Sequence, residues 1–109
     1  YINAHGTGTQ NNDLSEGKAI QRLFASPLFS STKPYTGHTL GAAGGIEAVL
    51  SCLSLQRQII YPNLRWENAM ADLTITPNTD ILEDHPVNHV LTNSFGFGGN
   101  DTSLIFSKV

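Results

Sequence analysis

Residues 31–45 read STKPYTGHTLGAAGG, and this stretch carries the strongest constraint on the fold of the 109-residue chain. It places Lys33 and His38 directly before a helix start that is rich in glycine and alanine. Glycine lowers helix propensity but lets neighbouring backbones approach closely. Such a helix start is favourable only between packed layers, so we predict a buried helix that follows a fixed lysine and a fixed histidine.

The predicted helix covers residues 41–56 and is apolar almost all round. Its polar side chains fall on a narrow stripe formed by Glu47, Ser51 and Ser54. A helix with so broad an apolar surface is covered on several sides. The single cysteine of the chain, Cys52, lies among leucines, where burial raises a thiol pKa, so we interpret it as a packing residue and not as a nucleophile.

The remaining chain alternates predicted strands with helices and polar, glycine-containing loops, which indicates an α/β fold. A first helix is predicted from a cap at Asp13 to about Ala25. The predicted strands cover residues 1–4, 28–31, 73–75 (an edge strand), 89–93 and 102–106. Three of the polar loops follow or join strand ends, where α/β sheets usually bind ligands. These three loops are therefore the places where we look for a site.

Composition argues against several classes of protein. A net charge of -3 and a charged fraction of 14% do not suit a nucleic-acid-binding domain. One cysteine allows no internal disulfide bond, and no stretch approaches the ~20 apolar residues of a membrane span. We therefore expect a cytoplasmic protein without nucleic-acid or membrane partners. The chain begins at Tyr1 inside an apolar run, which favours a piece of a longer protein.

The first polar loop reads HGTGT and contains His5, Thr7 and Thr9. It lacks the glycine pattern and the acidic residue of a dinucleotide-binding loop, and it contains no phosphate-loop lysine. The four histidines of the chain show no helical H-x-x-x-H pairing and no cysteine cluster, so no metal site is predicted. By itself, His5 is equally compatible with a turn that a histidine caps.

The second loop holds Lys33 and His38 among short hydroxyl residues, and Pro34 stiffens the turn. A fixed cation disfavours the charged form of a nearby imidazole, so His38 would stay neutral and donate a hydrogen bond to a developing enolate or oxyanion. Glu16 is predicted to pair with Lys33, and a side chain that only caps the first helix is the alternative interpretation of this residue. Solvated loop side chains are the alternative interpretation of the lysine and the histidine.

The third loop, SFGFGGND, contains Phe95 and Phe97 beside glycines. Two interpretations stay open: both phenylalanines fill the core, or one of them is a movable gate on a loop that glycine makes flexible. A backbone N–H in this loop could also serve in an oxyanion hole. No residue of the chain is a convincing nucleophile, so we expect any nucleophile to lie outside it.

Three motifs occur in this order along the chain: AHGTGTQNND, STKPYTGHTLGAAGG and NSFGFGGND. Together they resemble the C-terminal half of the β-ketoacyl-acyl-carrier-protein synthases, the elongating condensing enzymes of fatty-acid and polyketide synthesis. The resemblance covers essentially all 109 residues. It implies an α/β fold, the C-terminal part of a thiolase-like five-layer α-β-α-β-α sandwich. Residues 1–109 would be a C-terminal β-ketoacyl synthase domain without the nucleophile-bearing half.

For function, the resemblance implies a 3-oxoacyl-[acyl-carrier-protein] synthase. Such an enzyme catalyses decarboxylative Claisen condensation of malonyl-carrier protein with an enzyme-bound acyl chain in fatty-acid or polyketide biosynthesis. His5 and His38 would donate hydrogen bonds to the malonyl thioester oxygen and stabilise the enolate. Lys33 would fix the electrostatics of His38, with Glu16 as its ion-pair partner.

The resemblance also implies how substrate is held. Thr7 and Thr9 match positions that hydrogen-bond the pantetheine arm, and Phe97 matches a gating phenylalanine whose backbone amide completes the oxyanion hole. The implied partner is acyl-carrier protein, which carries the phosphopantetheine, so no metal or cofactor of the enzyme itself is expected. A homodimer is expected for the full-length enzyme. The 109-residue chain alone is expected to be inactive and to have one abnormally apolar face.

The chain departs from the family at Asn100 and Asp101, where Thr-Asn is common, and this departure could alter loop hydrogen bonding or substrate preference. A chain-length-factor-like partner or pseudoenzyme is the alternative function, although the retention of His5, Lys33 and His38 argues against it. A thiolase would be expected to use a second cysteine near the last glycine loop. A starter-unit synthase would be expected to have asparagine at one histidine position.

Overall fold

One mixed β-sheet organises the chain, and the computed structural model describes all of residues 1–109. Its strands are β1 (Ile2–Asn3), β2 (Phe29–Ser30), β3 (His89–Gly96) and β4 (Asn100–Ser107), in the spatial order β2-β1-β3-β4. The helices are α1 (Gln10–Leu23), α2 (Lys33–Thr36) and α3 (Ala43–Arg57), and a 3₁₀ turn at Leu40–Ala42 leads into α3. No helix combines the length and the apolar character that a membrane span requires.

The strand directions bring three segments of the chain to one edge of the sheet. β1 is parallel to both of its neighbours, with Ile2 opposite Phe29 on β2 and opposite Leu91 on β3. β4 returns antiparallel to β3. The carboxyl ends of β1, β2 and β3 therefore lie at the same edge. The segments that follow β1 and β2 are thus neighbours of the turn between β3 and β4, which is the usual position of a ligand site in such sheets.

Each face of the sheet packs against one helix, because successive strand residues point to opposite faces. On one face, Ile20 of α1 packs with Ile2 and Ala4. On the other face, Leu55 of α3 packs with Val90 of β3. Further contributors to these two clusters are Phe29, Ile75 and Leu91 on the α1 side and Ile60 and Val87 on the α3 side. This α-β-α layering confirms the predicted α/β class.

α3 presents its polar stripe to the sheet. Glu47, Ser51 and Ser54 are buried, and the Ser51 hydroxyl donates to the Glu47 carbonyl oxygen at 2.7 Å. The opposite side of α3 and of the turn before it is apolar and open, with Val49 60% and Leu40 77% exposed. The expectation of one abnormally apolar face is therefore confirmed.

Cys52 lies on the open side of α3 and is exposed. The prediction that it packs in a core is therefore wrong for this chain. The residue follows buried Ser51, and one residue step turns the helix by about 100°, which moves the thiol away from the sheet. No element of the chain covers that side, as the exposure of Val49 and Leu53 also shows.

The predicted bounds of the first helix are wrong at both ends. α1 begins at Gln10, three residues before the predicted cap, and ends at Leu23. Asp13 lies inside the helix, where its Oδ1 accepts a hydrogen bond from Gly8 N at 3.2 Å. The aspartate therefore ties the preceding loop to the helix and does not cap the helix itself.

Three of the predicted strands also differ clearly from the structure. Residues 73–75 form no strand, because Thr74 N donates to the Gln21 side chain of α1 at 2.9 Å and not to a neighbouring strand. β3 and β4 are each longer than predicted and leave only Phe97, Gly98 and Gly99 as the turn. Both turn glycines have positive φ, at 84° and 79°, which permits so tight a connection.

Candidate active site

His5 lies on the loop that follows β1 and is buried. Glu16 of α1 holds this loop, because its Oε1 accepts a hydrogen bond from His5 N and its Oε2 accepts one from Gly6 N, both at 2.9 Å. Gly6 has a φ of +43°, and a Cβ at this position would lie 2.5 Å from Ser31 Cβ. The loop that carries His5 therefore requires glycine at residue 6, since an L side chain would be both strained and in collision.

Hydrogen bonds from the sheet fix the orientation of Glu16. The Asn93 Nδ2 amide donates to Glu16 Oε1 at 3.0 Å, and the Ser103 hydroxyl donates to Asn93 Oδ1 at 2.8 Å. Asn93 and Ser103 are direct cross-strand partners on β3 and β4. Neither residue was predicted from the sequence, where the asparagine that opens NSFGFGGND was the one available signal.

Lys33 follows β2 and is buried beside Glu47 of α3. Its ammonium donates a hydrogen bond to Glu47 Oε1 and forms an ion pair with it. The predicted pairing of Lys33 with Glu16 is therefore wrong, because both oxygens of Glu16 already accept hydrogen bonds from other groups. Burial raises the pKa of the Glu47 carboxyl, and the Lys33 ammonium opposes this effect. Glu47 was visible in the sequence only as a member of the polar stripe.

The same ammonium contacts the His5 ring, with Lys33 Nζ 3.1 Å from His5 Nδ1. An ammonium can only donate, so Nδ1 accepts and the neutral ring carries its hydrogen on Nε2. Burial, assisted by the charges of Lys33 and His38, lowers the pKa of His5 to about 4. The hydrogen bond from the cation thus goes to His5, whereas the prediction assigned the effect of Lys33 to His38.

His38 lies on the exposed loop after α2, with its ring centroid 5.4 Å from that of His5 and the two rings at 89°. Its Nδ1 accepts a hydrogen bond from Leu40 N at 3.2 Å, so a neutral His38 ring also carries its hydrogen on Nε2. The fold therefore brings together two imidazoles and Lys33. Each imidazole has its Nδ1 engaged and an Nε2–H that is available as a donor.

A groove of about 660 Å³ opens beside these residues. Its lining includes Thr7, Lys33 and His38, together with residues 63–70 of the irregular segment after α3. The hydroxyl oxygen of Thr9 lies 2.8 Å from that of Thr7. The groove has the size that is typical of small-molecule sites in proteins.

Of the two phenylalanines in the third motif, Phe95 contacts His5. Its ring centroid lies 5.4 Å from that of His5, at 63° to it. Phe97 is fully exposed at the turn between β3 and β4. Phe97 is therefore not a core residue, and its role as a gate stays a prediction.

Comparison with known proteins identifies the family of the chain. The family model described as beta-ketoacyl synthase, C-terminal domain, matches residues 1–67, which is more than half of the chain. The chain therefore belongs to the β-ketoacyl synthase family, as its three motifs predicted.

Individual relatives agree with this assignment. 3-Oxoacyl-[acyl-carrier-protein] synthase 2 of Vibrio harveyi is 40% identical to the chain, and the match covers 100% of the 109 residues. A solved ketosynthase in complex with its chain length factor, from Xenorhabdus doucetiae, matches 100% of the chain with a TM-score of 0.89 and 40% identity. Another similar structure is a type II polyketide acyl-carrier protein in complex with its ketosynthase bound to the hexaketide. A chain of that complex matches 100% of this chain with a TM-score of 0.87 and 32% identity. The chain spans 28% of the length of each matched protein.

Proposed function

We propose that the chain is the C-terminal part of a condensing enzyme that joins a malonyl unit to an enzyme-bound acyl chain with loss of carbon dioxide. The observation that carries this proposal is the position of Lys33, buried between Glu47 and His5 Nδ1 at the sheet edge where His38 also lies. This arrangement holds two imidazoles with ring centroids 5.4 Å apart, and each ring has its Nδ1 engaged and its Nε2–H available as a donor. Fixed donors stabilise a developing oxyanion because they need no reorganisation during the reaction.

In the decarboxylation step, the malonyl thioester oxygen accepts hydrogen bonds from His5 and His38. The bond between the carboxylate carbon and the methylene carbon breaks, carbon dioxide leaves, and the electron pair forms an enolate. The negative charge then collects on the oxygen that the two donors hold. Neither histidine gains or loses a proton, which agrees with a His5 ring that stays neutral well above its pKa of about 4.

In the condensation step, the enolate carbon attacks the thioester carbonyl of the acyl chain. A carbon–carbon bond forms, the carbon–sulfur bond breaks, and the cysteine thiolate leaves. Cys52 does not fit this role, because it lies on the open side of α3, away from the sheet. We assign the nucleophilic cysteine to the remainder of the synthase, so the 109-residue chain alone should not condense acyl chains.

Lys33, Glu47 and Glu16 act as positioning residues. The Lys33 ammonium orients the His5 ring through Nδ1 and keeps a second proton off it. Glu47 compensates the charge of the ammonium, which would otherwise be buried without a partner. Glu16 fixes the backbone of the loop that carries His5.

We assign Thr7 and Thr9 to the pantetheine arm of the substrate and Phe97 to a gate over the site. Support comes from the groove beside Thr7, the proximity of the two hydroxyls, and the two glycines of positive φ that follow Phe97. The proposed partner is acyl-carrier protein, which delivers its own phosphopantetheine, so the enzyme needs no further cofactor. A solved relative that binds a carrier protein supports this partner. A homodimer is proposed for the complete synthase.

The test uses the complete synthase with acyl- and malonyl-carrier protein, and it follows both carbon dioxide and the β-ketoacyl product. His38→Ala removes one donor and should lower both rates about 100-fold. The matched control is His89→Ala, since His89 is exposed at the start of β3, on the opposite edge of the sheet. Unchanged rates in His38→Ala would overturn the assignment of the site.

A second candidate is a non-catalytic partner that resembles a chain length factor. The similarity to a ketosynthase solved with its chain length factor favours it, while the intact arrangement of His5, Lys33 and His38 argues against it. The same assay separates the two candidates. Carbon dioxide without product would indicate a decarboxylating partner that lacks the nucleophile, and neither signal would mean that the fold serves another purpose.

A further inference from the structure

Asp101 is an acidic residue on β4, opposite the phenylalanine that packs on His5. It is the second residue of β4, is exposed, and is the direct cross-strand partner of Phe95. Cross-strand partners share one face of a sheet, with Cβ atoms about 5 Å apart. The Phe95 ring in turn lies 5.4 Å from the His5 ring. Only one aromatic ring therefore separates the strand position of Asp101 from the proposed decarboxylation site.

The charge of Asp101 has no partner. The carboxylate takes part in none of the hydrogen bonds or ion pairs that hold the site together. Each of the other charged residues around the His5 ring and its loop forms a hydrogen bond or an ion pair. These residues are Asp13, Glu16, Lys33 and Glu47. The field of Asp101 reaches the ring, because its negative charge raises the pKa of His5 and partly offsets the opposite effects of Lys33 and His38.

We propose that Asp101 is a specificity-determining residue, whose charge disfavours a carboxylate beside His5 and His38 and leaves an uncharged thioester unaffected. This inference rests on the proposed function, since a malonyl unit carries a carboxylate that an acyl unit lacks. Repulsion between the two carboxylates ends when carbon dioxide leaves. The remaining charge is then on the enolate oxygen, which the two Nε2–H donors hold, so Asp101 weakens binding of the ground state more than that of the transition state.

Binding measurements test the inference without turnover. Amide analogues of malonyl-pantetheine and acetyl-pantetheine are titrated into the complete synthase and into Asp101→Asn, which keeps the shape of the side chain and removes its charge. We expect Asp101→Asn to bind the malonyl analogue about threefold to tenfold more tightly, as for one partly screened charge pair, and this gain should shrink at high salt. The affinity for the acetyl analogue should not change.

Two further variants serve as controls. Asp101→Glu keeps the charge and should retain the wild-type preference between the analogues. Asp84→Asn removes an exposed charge in the segment between α3 and β3, and should change neither affinity. Asp84 has a φ of 51°, a conformation that asparagine also adopts readily, so this control should fold normally.

The outcomes distinguish the inference from the function on which it rests. An equal change for both analogues in Asp101→Asn, or no change, would overturn the role of Asp101, because the effect would then be steric or absent. A second outcome is that Asp101→Asn binds only the malonyl analogue more tightly, but the synthase releases no carbon dioxide from malonyl-carrier protein. That result would contradict the proposed function and still support the effect of the Asp101 charge on carboxylate binding. Failure of the wild-type synthase to bind either analogue would overturn both.

Discussion

At the scale of single residues, the ammonium of Lys33 links helix α3 to the loop after β1. It pairs with Glu47 and also donates to His5 Nδ1 at 3.1 Å. A buried ammonium without a partner would destabilise the fold, and the Glu47 carboxylate compensates its charge. The ammonium charge adds to the larger effect of burial on the pKa of His5, and both favour the neutral form of the proposed hydrogen-bond donor.

Lys33→Met should raise the pKa of His5 from about 4 towards the ordinary value of 6.5, because it removes a nearby cation. The rise should be incomplete, since burial is the larger cause of the depression and remains. An NMR titration of the His5 Hε1 signal measures this midpoint. Lys18→Met, which removes an exposed lysine of α1, is the control, and an unmoved His5 midpoint in Lys33→Met would show that the contact is not electrostatic.

The same shift predicts how stability depends on pH. Folding lowers the pKa of His5, so the stability that the neutral ring contributes is present above about pH 6.5 and is lost as the pH falls towards 4. Thermal unfolding of the synthase should reveal this loss between pH 6.5 and 4. The loss should be smaller in Lys33→Met, because the folded and unfolded pKa values of His5 then differ less.

At the scale of elements, short parallel strands position the site by where they end. β1 and β2 are only two residues long, yet they deliver His5 and Lys33 to the same edge of the sheet. The connecting loop must then turn sharply, and it does so at Gly6, against Ser31. The precision of the site therefore depends on one backbone conformation at the end of β1.

Gly6→Ala should displace this loop, because the new Cβ would lie 2.5 Å from Ser31 Cβ at a positive φ. We expect a loss of about 1–3 kcal/mol of stability and a large loss of decarboxylation. The matched control is Gly8→Ala, since Gly8 also has positive φ, +76°, but no atom lies within 4 Å of its added Cβ. Denaturant unfolding measures the stability of both variants, and carbon dioxide release measures their activity. Equal losses in the two variants would mean that backbone strain at positive φ, and not the collision with Ser31, causes the effect.

At the scale of the whole molecule, α3 is half covered. Its polar stripe lies on the sheet, and its apolar side, which includes Val49 and Cys52, is open. The chain spans 28% of the length of the relatives described above. In the proposed synthase, the remaining chain would pack on this apolar side and enclose the helix.

Cys52 reports whether this covering exists. The thiol should react rapidly with a soluble thiol reagent in the isolated 109-residue chain, where it is exposed. In the complete synthase it should react at least about tenfold more slowly, because a buried thiol reacts only after local opening. Mass spectrometry of labelled Cys52 peptides measures both rates, with Cys52→Ser as the blank. Rapid labelling in the complete synthase would contradict a covered α3.

The sequence by itself determined the α/β class, the family, and the three loops that meet at the sheet edge. These features depend on motif order and on local patterns of glycine and apolar residues, which are readable along the chain. Only the tertiary structure decided that Lys33 pairs with Glu47 and not with Glu16, and that the cation contacts His5. Residue spacing does not predict which side of a nearly apolar helix faces the sheet, because packing between the layers determines the orientation of the helix. That selection buried the polar stripe of α3 and exposed Cys52.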